Sequence, residues 1–259
     1  MMKKLRVLDL FSGIGGFSLG LESTSGFETA AFCEFDKHAR LVLNKHWPKI
    51  KIHEDVRCLD GNEYRGSIDV VCGGFPCQDL SVAGKKKGIT EGERSNLYTE
   101  MLRIISECLP RYAIFENVTG LLTGESGRWF AKFLYDLASV GYDAEWHCIP
   151  ASELGANHHR DRAWVVAYPN LQRCEGSTKE QVLGEPRLQI EFVRSFERWP
   201  TRQDIPAPRS IGAADGLSRR LDRITRLGNA VVPGIPKIIG EAILKYESDQ
   251  LTHNTKQIG

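Results

Sequence analysis

The chain has 259 residues, 41% of them hydrophobic and 26% charged, and a formal net charge of +1. That apolar share supports a sizeable core and excludes a disordered polar chain, while the near-neutral balance means that a nucleic acid would be met by local basic patches only. The seven cysteines are odd in number and form no Cys-x-x-Cys pair, which argues against a disulfide framework or a zinc ribbon and fits a reducing cytoplasm.

Leu5 to Leu10 reads as a first strand. The lysines before it resemble a leader, but the apolar run is too short and is broken by Arg6 and Asp9. Nothing approaches transmembrane length, so a cytoplasmic protein without a membrane partner is expected. The strand runs into Phe11-Ser12-Gly13-Ile14-Gly15-Gly16-Phe17 and a helical stretch through Leu21. Strand, glycine turn and helix open a nucleotide-type βαβ unit, with backbone N–H groups at the helix start facing a ligand. A dinucleotide fingerprint would need glycine at position 18, and Ser18 stands there, which weighs against nicotinamide or flavin. A second strand, Thr29 to Cys33, ends in Glu34, an acid placed to accept hydrogen bonds from ribose hydroxyls. Helix Lys37–His46 and a short strand Ile50–His53 follow, and then Asp55, a candidate partner for an adenine amino group. With Gly13-x-Gly15, the two acids point to a nucleoside cofactor.

The apolar run Ile68–Cys72 has the length and branching of a buried strand. It leads into Gly73-Gly74-Phe75-Pro76-Cys77-Gln78, where two glycines allow a sharp turn and close approach, and Pro76 fixes φ before the cysteine. Cys77 is thus offered on a constrained loop at the carboxyl end of a strand, where open α/β sheets place their ligands. Lys85, Lys86 and Lys87 lie between glycines and form a basic segment beside it. A helix starting near Arg94–Leu97 follows, with Leu97, Met101, Ile104, Ile105 and Cys108 on one face and Pro110 as its stop. Strand Tyr112–Phe115 ends in Glu116-Asn117-Val118, which puts a carboxylate at a strand tip one βα unit beyond Cys77. Helix Trp129–Leu137 and strand Asp143–Ile149 continue the alternation. His158 and His159 are adjacent, without cysteine or carboxylate at ligand spacing, so no metal is expected. Arg160 and Arg162 point to one side of an extended segment that leads into strand Ala163–Ala167, which suits contacts to an anion or a base. From about 169 to 226 the βα rhythm stops and arginines are over-represented. Helix Ile235–Tyr246 closes the pattern, and residues 247–259 are polar and expected to fray.

Asp9–Phe17, Glu34, Asp55, Pro76-Cys77-Gln78, Glu116-Asn117-Val118, Arg160-x-Arg162 and Gly228-Asn229-Ala230-Val231 occur in that order. The series resembles the cytosine-C5 DNA methyltransferases, which use S-adenosylmethionine. Pro-Cys-Gln with Glu-Asn-Val is the most specific part, and the likeness covers nearly the whole chain outside about 169–226. One position departs: the family commonly has glutamine two residues before the first arginine of Arg-x-Arg, and His158 stands there.

The resemblance implies an α/β fold, a Rossmann-like S-adenosylmethionine-dependent methyltransferase sheet with a small target-recognition insertion. Residues 1–168 and 227–259 would form the catalytic domain and 169–226 the target-recognition region. Cys77, Glu116, Arg160 and Arg162 would be catalytic. Phe11, Gly13, Ile14, Gly15, Gly16, Glu34, Phe35, Asp55, Val56, Pro76, Leu97, Asn229, Ala230 and Val231 would hold the cofactor. Gln78, Ser81, Lys85, Lys86, Lys87, Arg209, Arg219, Arg220 and Arg223 would meet double-stranded DNA, the last three chiefly at phosphates. A monomer is expected, with a cognate restriction endonuclease as a possible partner. Two other readings share these motifs: the tRNA-modifying branch of the family, and a DNA-binding regulator that kept the fold but lost turnover. The second would be favoured by loss of Cys77 or Glu116, and both are present.

Overall fold

The computed structural model describes residues 3–76, 97–150, 161–170 and 230–257, with side chains of the last helix described through residue 250. Among the described residues, strands β1 (Leu5–Leu10), β2 (Phe27–Cys33), β3 (Lys51–His53), β4 (Val70–Gly73), β5 (Tyr112–Val118), β6 (Tyr142–Pro150) and β7 (Asp161–Pro169) form one sheet. Its order is β3-β2-β1-β4-β5-β7-β6. The first five strands are mutually parallel, and β7 runs antiparallel to both β5 and β6. The strand order reverses between β1 and β4, so the crevice outside their carboxyl ends is where such a sheet takes a ligand. Both the glycine turn after β1 and the Gly73-Gly74 segment that closes β4 open onto it.

Burial on two faces explains the sequence of the central strands. β4 and the first six residues of β5 are buried throughout, which is why they read as continuous apolar runs and not as alternation. Helices α3 (Leu97–Cys108) and α5 (Arg128–Ser139), the second preceded by the single turn α4 (Gly120–Thr123), put Met101, Ile105, Phe133 and Leu137 on one face, against Leu8, Leu10, Val71 and Phe115. Helices α1 (Gly16–Glu22) and α6 (Gly234–Gln257) put Phe17, Leu21, Ile235 and Ile239 on the other, against Val7, Val70 and Ile114. Helix α2 (Lys37–His46) starts where the Asp36 carboxylate accepts the backbone N–H groups of His38 and Ala39 at 2.8 and 2.9 Å, a side-chain cap for two otherwise unpaired donors.

Three sequence expectations change. Strands 143–149 and 163–167 do not continue the parallel alternation but pair with each other antiparallel, as β6 and β7. Glu116 lies within β5 and not beyond its tip, because β7 extends the pairing to Val118 opposite Arg162. From Glu247 as far as Gln257 the polar tail is helical and not frayed, as the continuation of α6. There the Glu247 carboxylate accepts hydrogen bonds from the Arg111 guanidinium and, at 2.6 Å, from the Tyr112 hydroxyl, anchoring the helix to the start of β5. Among the described residues no helix is long and apolar enough to cross a membrane.

Candidate active site

The glycine turn is braced from the tip of β2. The Gly13 N–H donates to Glu34 Oε2 at 2.6 Å, and the Asp36 N–H donates to Oε1 at 2.7 Å. A carboxylate can accept about four hydrogen bonds, so Glu34 keeps capacity for ribose hydroxyls while it fixes the turn. The glycines divide into different tasks. Gly13 has φ of +55°, and a Cβ there would meet no atom within 4 Å, so its open side is free for a ligand. At Gly15, φ +88°, a Cβ would lie 2.6 Å from the Trp47 ring; packing inside the protein dictates that glycine. At Gly16 it would lie 2.5 Å from the Val231 carbonyl oxygen, so the segment Ala230-Val231 returns to rest on the start of α1. Phe11 has φ of +52°, and both it and Ile14 are half-buried in the turn.

The tips of β2 and β3 lie side by side, since Cys33 and His53 are register partners and the Glu34 N–H donates to the His53 carbonyl at 2.9 Å. Phe35 is 74% exposed, an aromatic face beside the two acids on which a base could stack. Asp55 caps the 3-10 turn Val56–Cys58 by accepting the Arg57 N–H at 3.0 Å. The Arg57 guanidinium also donates to both Asp55 oxygens and holds its carboxyl below the usual range. Among the described residues Oδ2 accepts from that guanidinium alone and retains room for an amino donor. Val56 is buried just behind it, whereas Leu97 starts α3 and packs partly buried on the core. Acceptors on adjacent strand tips, an open glycine and an exposed ring fit a nucleoside.

A second cluster stands across the crevice. Glu116 is only 8% exposed, and Arg162 Nε donates to its Oε1 at 2.9 Å. A Cβ at Gly74 would lie 2.8 Å from the other oxygen, Oε2. Neither Gly73 nor Gly74 has positive φ, so close approach, and not a left-handed backbone, calls for glycine at both positions. Gly73 clears the Leu10 carbonyl, and Gly74 clears the Glu116 carboxylate. Asn117 Nδ2 donates to the Phe75 carbonyl at 3.1 Å, and its Oδ1 accepts the Val118 N–H at 2.8 Å. Phe75 itself is buried against Tyr98 and Phe133. The loop is therefore fastened to β5 immediately before the half-buried Pro76, the residue that precedes Cys77 in the sequence. Asn117 is a site residue that sequence reasoning missed; its signal was a polar side chain in a strand otherwise fit for complete burial. Cys77, Gln78, Ser81, Lys85, Lys86, Lys87, Arg160, Arg209, Arg219, Arg220, Arg223 and Asn229 lie outside the described residues.

Asp9, on β1 beneath the glycine turn, is fully buried. The Ser18 hydroxyl and N–H donate to its Oδ2 at 2.8 and 3.3 Å, which gives Ser18 its structural reason. Among the described residues Oδ1 has no hydrogen-bond partner. Burial pushes the carboxyl up to about 7, with Glu34 adding to the rise and Ser18 opposing it. Burial and the neighbouring Asp9 push the Cys72 thiol well above its ordinary value, so Cys72 is no nucleophile.

Residues 5–203 match the family described as C-5 cytosine-specific DNA methylase. The chain is 38% identical over 169 residues to the Type II methyltransferase M2.BsuMI of Bacillus subtilis, covering 63% of this chain and 42% of that protein. It is 35% identical over 204 residues to M.BsuFI of Bacillus subtilis, covering 78% and 48%. A solved DNA modification methyltransferase encoded within an Escherichia coli prophage superposes with a TM-score of 0.54 at 27% identity, covering 71% of this chain and 51% of that one. The chain spans about half the length of the curated relatives it matches. Its sheet is the Rossmann-like sheet of methyltransferases, and the chain belongs to the C-5 cytosine-specific DNA methylase family.

Proposed function

We propose that this protein transfers a methyl group from S-adenosylmethionine to C5 of a cytosine flipped out of double-stranded DNA, with Cys77 as the nucleophile. The observation that carries the reading is the anchoring of the segment before Cys77 against Glu116, through the Gly74 clearance and the Asn117 hydrogen bond. Cytosine C5 is a poor nucleophile. Attack of a thiolate at C6 breaks the ring's aromaticity and moves electron density to C5, turning one hard step into easier ones. Glu116 in its acid form donates to N3 and accepts from the exocyclic amine, countering charge as it develops in the transition state. Arg162, which donates to Oε1 of Glu116 at 2.9 Å, orients the carboxyl group towards the base. Bound S-adenosylmethionine supplies an electrophilic methyl group. Loss of the C5 proton to a base then lets the C6–sulfur bond break and returns the thiolate.

On the cofactor side, Glu34 accepts from the ribose hydroxyls, Asp55 from the adenine amine, and Phe35 stacks on the base. Residues 1–168 and 227–259 form the catalytic unit, with Asn229 to Val231 closing the pocket over Gly16. Residues 169–226 read the target: Arg209 contacts DNA, and Arg219, Arg220 and Arg223 neutralise phosphates. Extruding the cytosine costs roughly a few kcal/mol of stacking and pairing, which the lysine segment 85–87 helps recover by closing on the displaced backbone. The enzyme works as a cytoplasmic monomer beside a restriction endonuclease of the same target. Base-resolution sequencing of unmodified plasmid DNA after incubation with protein and cofactor tests the reading. C5-methylation at one recurrent sequence supports it, and DNA left unmodified beside a methylated tRNA contradicts it.

A further inference from the structure

We propose that Arg40 is a positioning residue that sets the spacing between the two strand tips holding the cofactor's nucleoside; this rests on the assignment of Glu34 and Asp55 to ribose and adenine. Arg40 lies in the first turn of α2, and its side chain, 17% exposed, folds back over the tip of β2. Nη1 donates to the carbonyl oxygens of Glu34 at 3.1 Å and Phe35 at 2.8 Å. Nη2 reaches Oε1 of Glu54 at 3.1 Å, and Glu54 immediately precedes Asp55. One guanidinium therefore grips the backbone of the ribose-side acid and its aromatic neighbour with one nitrogen, and the residue before the adenine-side acid with the other.

The strands leave this task open. β3 is a three-residue edge strand, and its pairing with β2 ends at Cys33 opposite His53. Beyond that, the Glu34 N–H on the His53 carbonyl is a single backbone tie. Phe35 cannot anchor itself, because its ring is exposed. Glu54 is 75% exposed, and an ion pair so open to water contributes little stability by itself. What Arg40 supplies is geometry: a planar fork whose donors reach two segments at fixed angles, which a lysine cannot reproduce. The consequence falls on the adenine edge. Asp55 must accept the exocyclic amine, and it rides on the segment that Glu54 ties down.

Calorimetry with two ligands on the whole protein tests the proposal. S-adenosylhomocysteine carries the amine; S-inosylhomocysteine presents an oxygen in its place and would face the Asp55 carboxylate. Wild type should prefer the adenosyl ligand by about tenfold or more, and Asp55→Asn should lose that preference. Arg40→Met, which keeps the aliphatic stem, should bind the adenosyl ligand about tenfold more weakly and lose most of the preference, with Arg40→Lys between the two. A merely structural role would lower resistance to urea without moving the ratio of the two ligands. Wild-type affinity and preference in a folded Arg40→Met overturn the proposal alone. Absence of any preference in wild type, with Asp55→Asn unchanged, overturns the nucleoside assignment and the proposal with it. If Arg40→Met does not fold, Glu54→Gln carries the test: the preference should fall by about twofold to threefold, and an unchanged value counts against the link.

Discussion

The side-chain amide of Asn117 donates to the carbonyl of Phe75 at 3.1 Å, tying the strand that carries Glu116 to the loop that leads into Cys77. Asn117→Asp keeps an acceptor for the Val118 N–H but sets a carboxylate against that carbonyl. Methyl transfer should fall by about ten- to a hundredfold near pH 8, as a buried hydrogen bond is replaced by repulsion, while affinity for S-adenosylhomocysteine is unchanged. Burial raises the pKa of the new carboxyl, so lowering the pH towards 6 restores a donor and should recover part of the rate relative to wild type. A variant-to-wild-type ratio flat across pH would contradict the positioning role.

Gly74→Ala makes a complementary test. The added Cβ would lie 2.8 Å from Glu116 Oε2, so either the carboxylate or the loop must shift. A displacement near 1 Å at reacting groups is worth about a hundredfold in rate, and loss of that order is expected with cofactor affinity intact. Turnover at the wild-type rate would mean that this glycine serves no purpose at Glu116.

Much of this arrangement was legible in the sequence, and the gaps have physical causes. Continuous apolar runs and glycine turns located β1, β4 and β5, because parallel strands buried on both faces leave little alternative. The acids at 34 and 116 stood out as carboxylates at the ends of such runs, and Asp55 by its place after a short strand. Antiparallel pairing of β6 with β7 did not, since pairing direction is set by partners far apart in the chain. The purposes of individual glycines were equally hidden: Gly15 clears Trp47, Gly16 clears Val231 and Gly74 clears Glu116, and each neighbour is distant in sequence. The continuation of α6 depended on Glu247 meeting Arg111 and Tyr112, which polarity alone cannot announce.

Asp9 predicts a stability profile. Its carboxyl is raised to about 7 in the folded chain, against about 3.9 when unfolded. Between those values the native state holds a proton that the unfolded chain has released, so stability falls as pH rises through the window and levels off above it. A shift of this size corresponds to roughly 4 kcal/mol. Urea unfolding of wild type and Asp9→Asn from pH 4 to pH 8 measures it: the wild type should lose ground steadily relative to the variant. A constant difference would show that Asp9 does not titrate in this range.

The two cofactor acids should differ in what their loss costs. In the proposed cofactor pose, Asp55→Ala removes an adenine contact, roughly 1–3 kcal/mol of binding. Glu34→Ala removes the proposed ribose contact and also frees the Gly13 N–H, so its loss should be the larger. Calorimetry with S-adenosylhomocysteine ranks them, and equal or reversed effects would mean that the brace on the turn is unimportant for binding.

Duplex DNA carrying 5-fluorocytosine at the target probes the proposed covalent bond between Cys77 and cytosine C6. After methyl transfer, fluorine cannot leave as a proton does, so the adduct cannot collapse. Incubation with S-adenosylmethionine should give a protein–DNA complex that survives denaturing electrophoresis, and peptide mapping should place the link at Cys77. Cys77→Ala should form no such complex while binding S-adenosylhomocysteine within a few fold of wild type. A wild-type protein that methylates unmodified DNA yet traps nothing on the fluorinated duplex, or a Cys77→Ala variant that still turns over, would contradict the account.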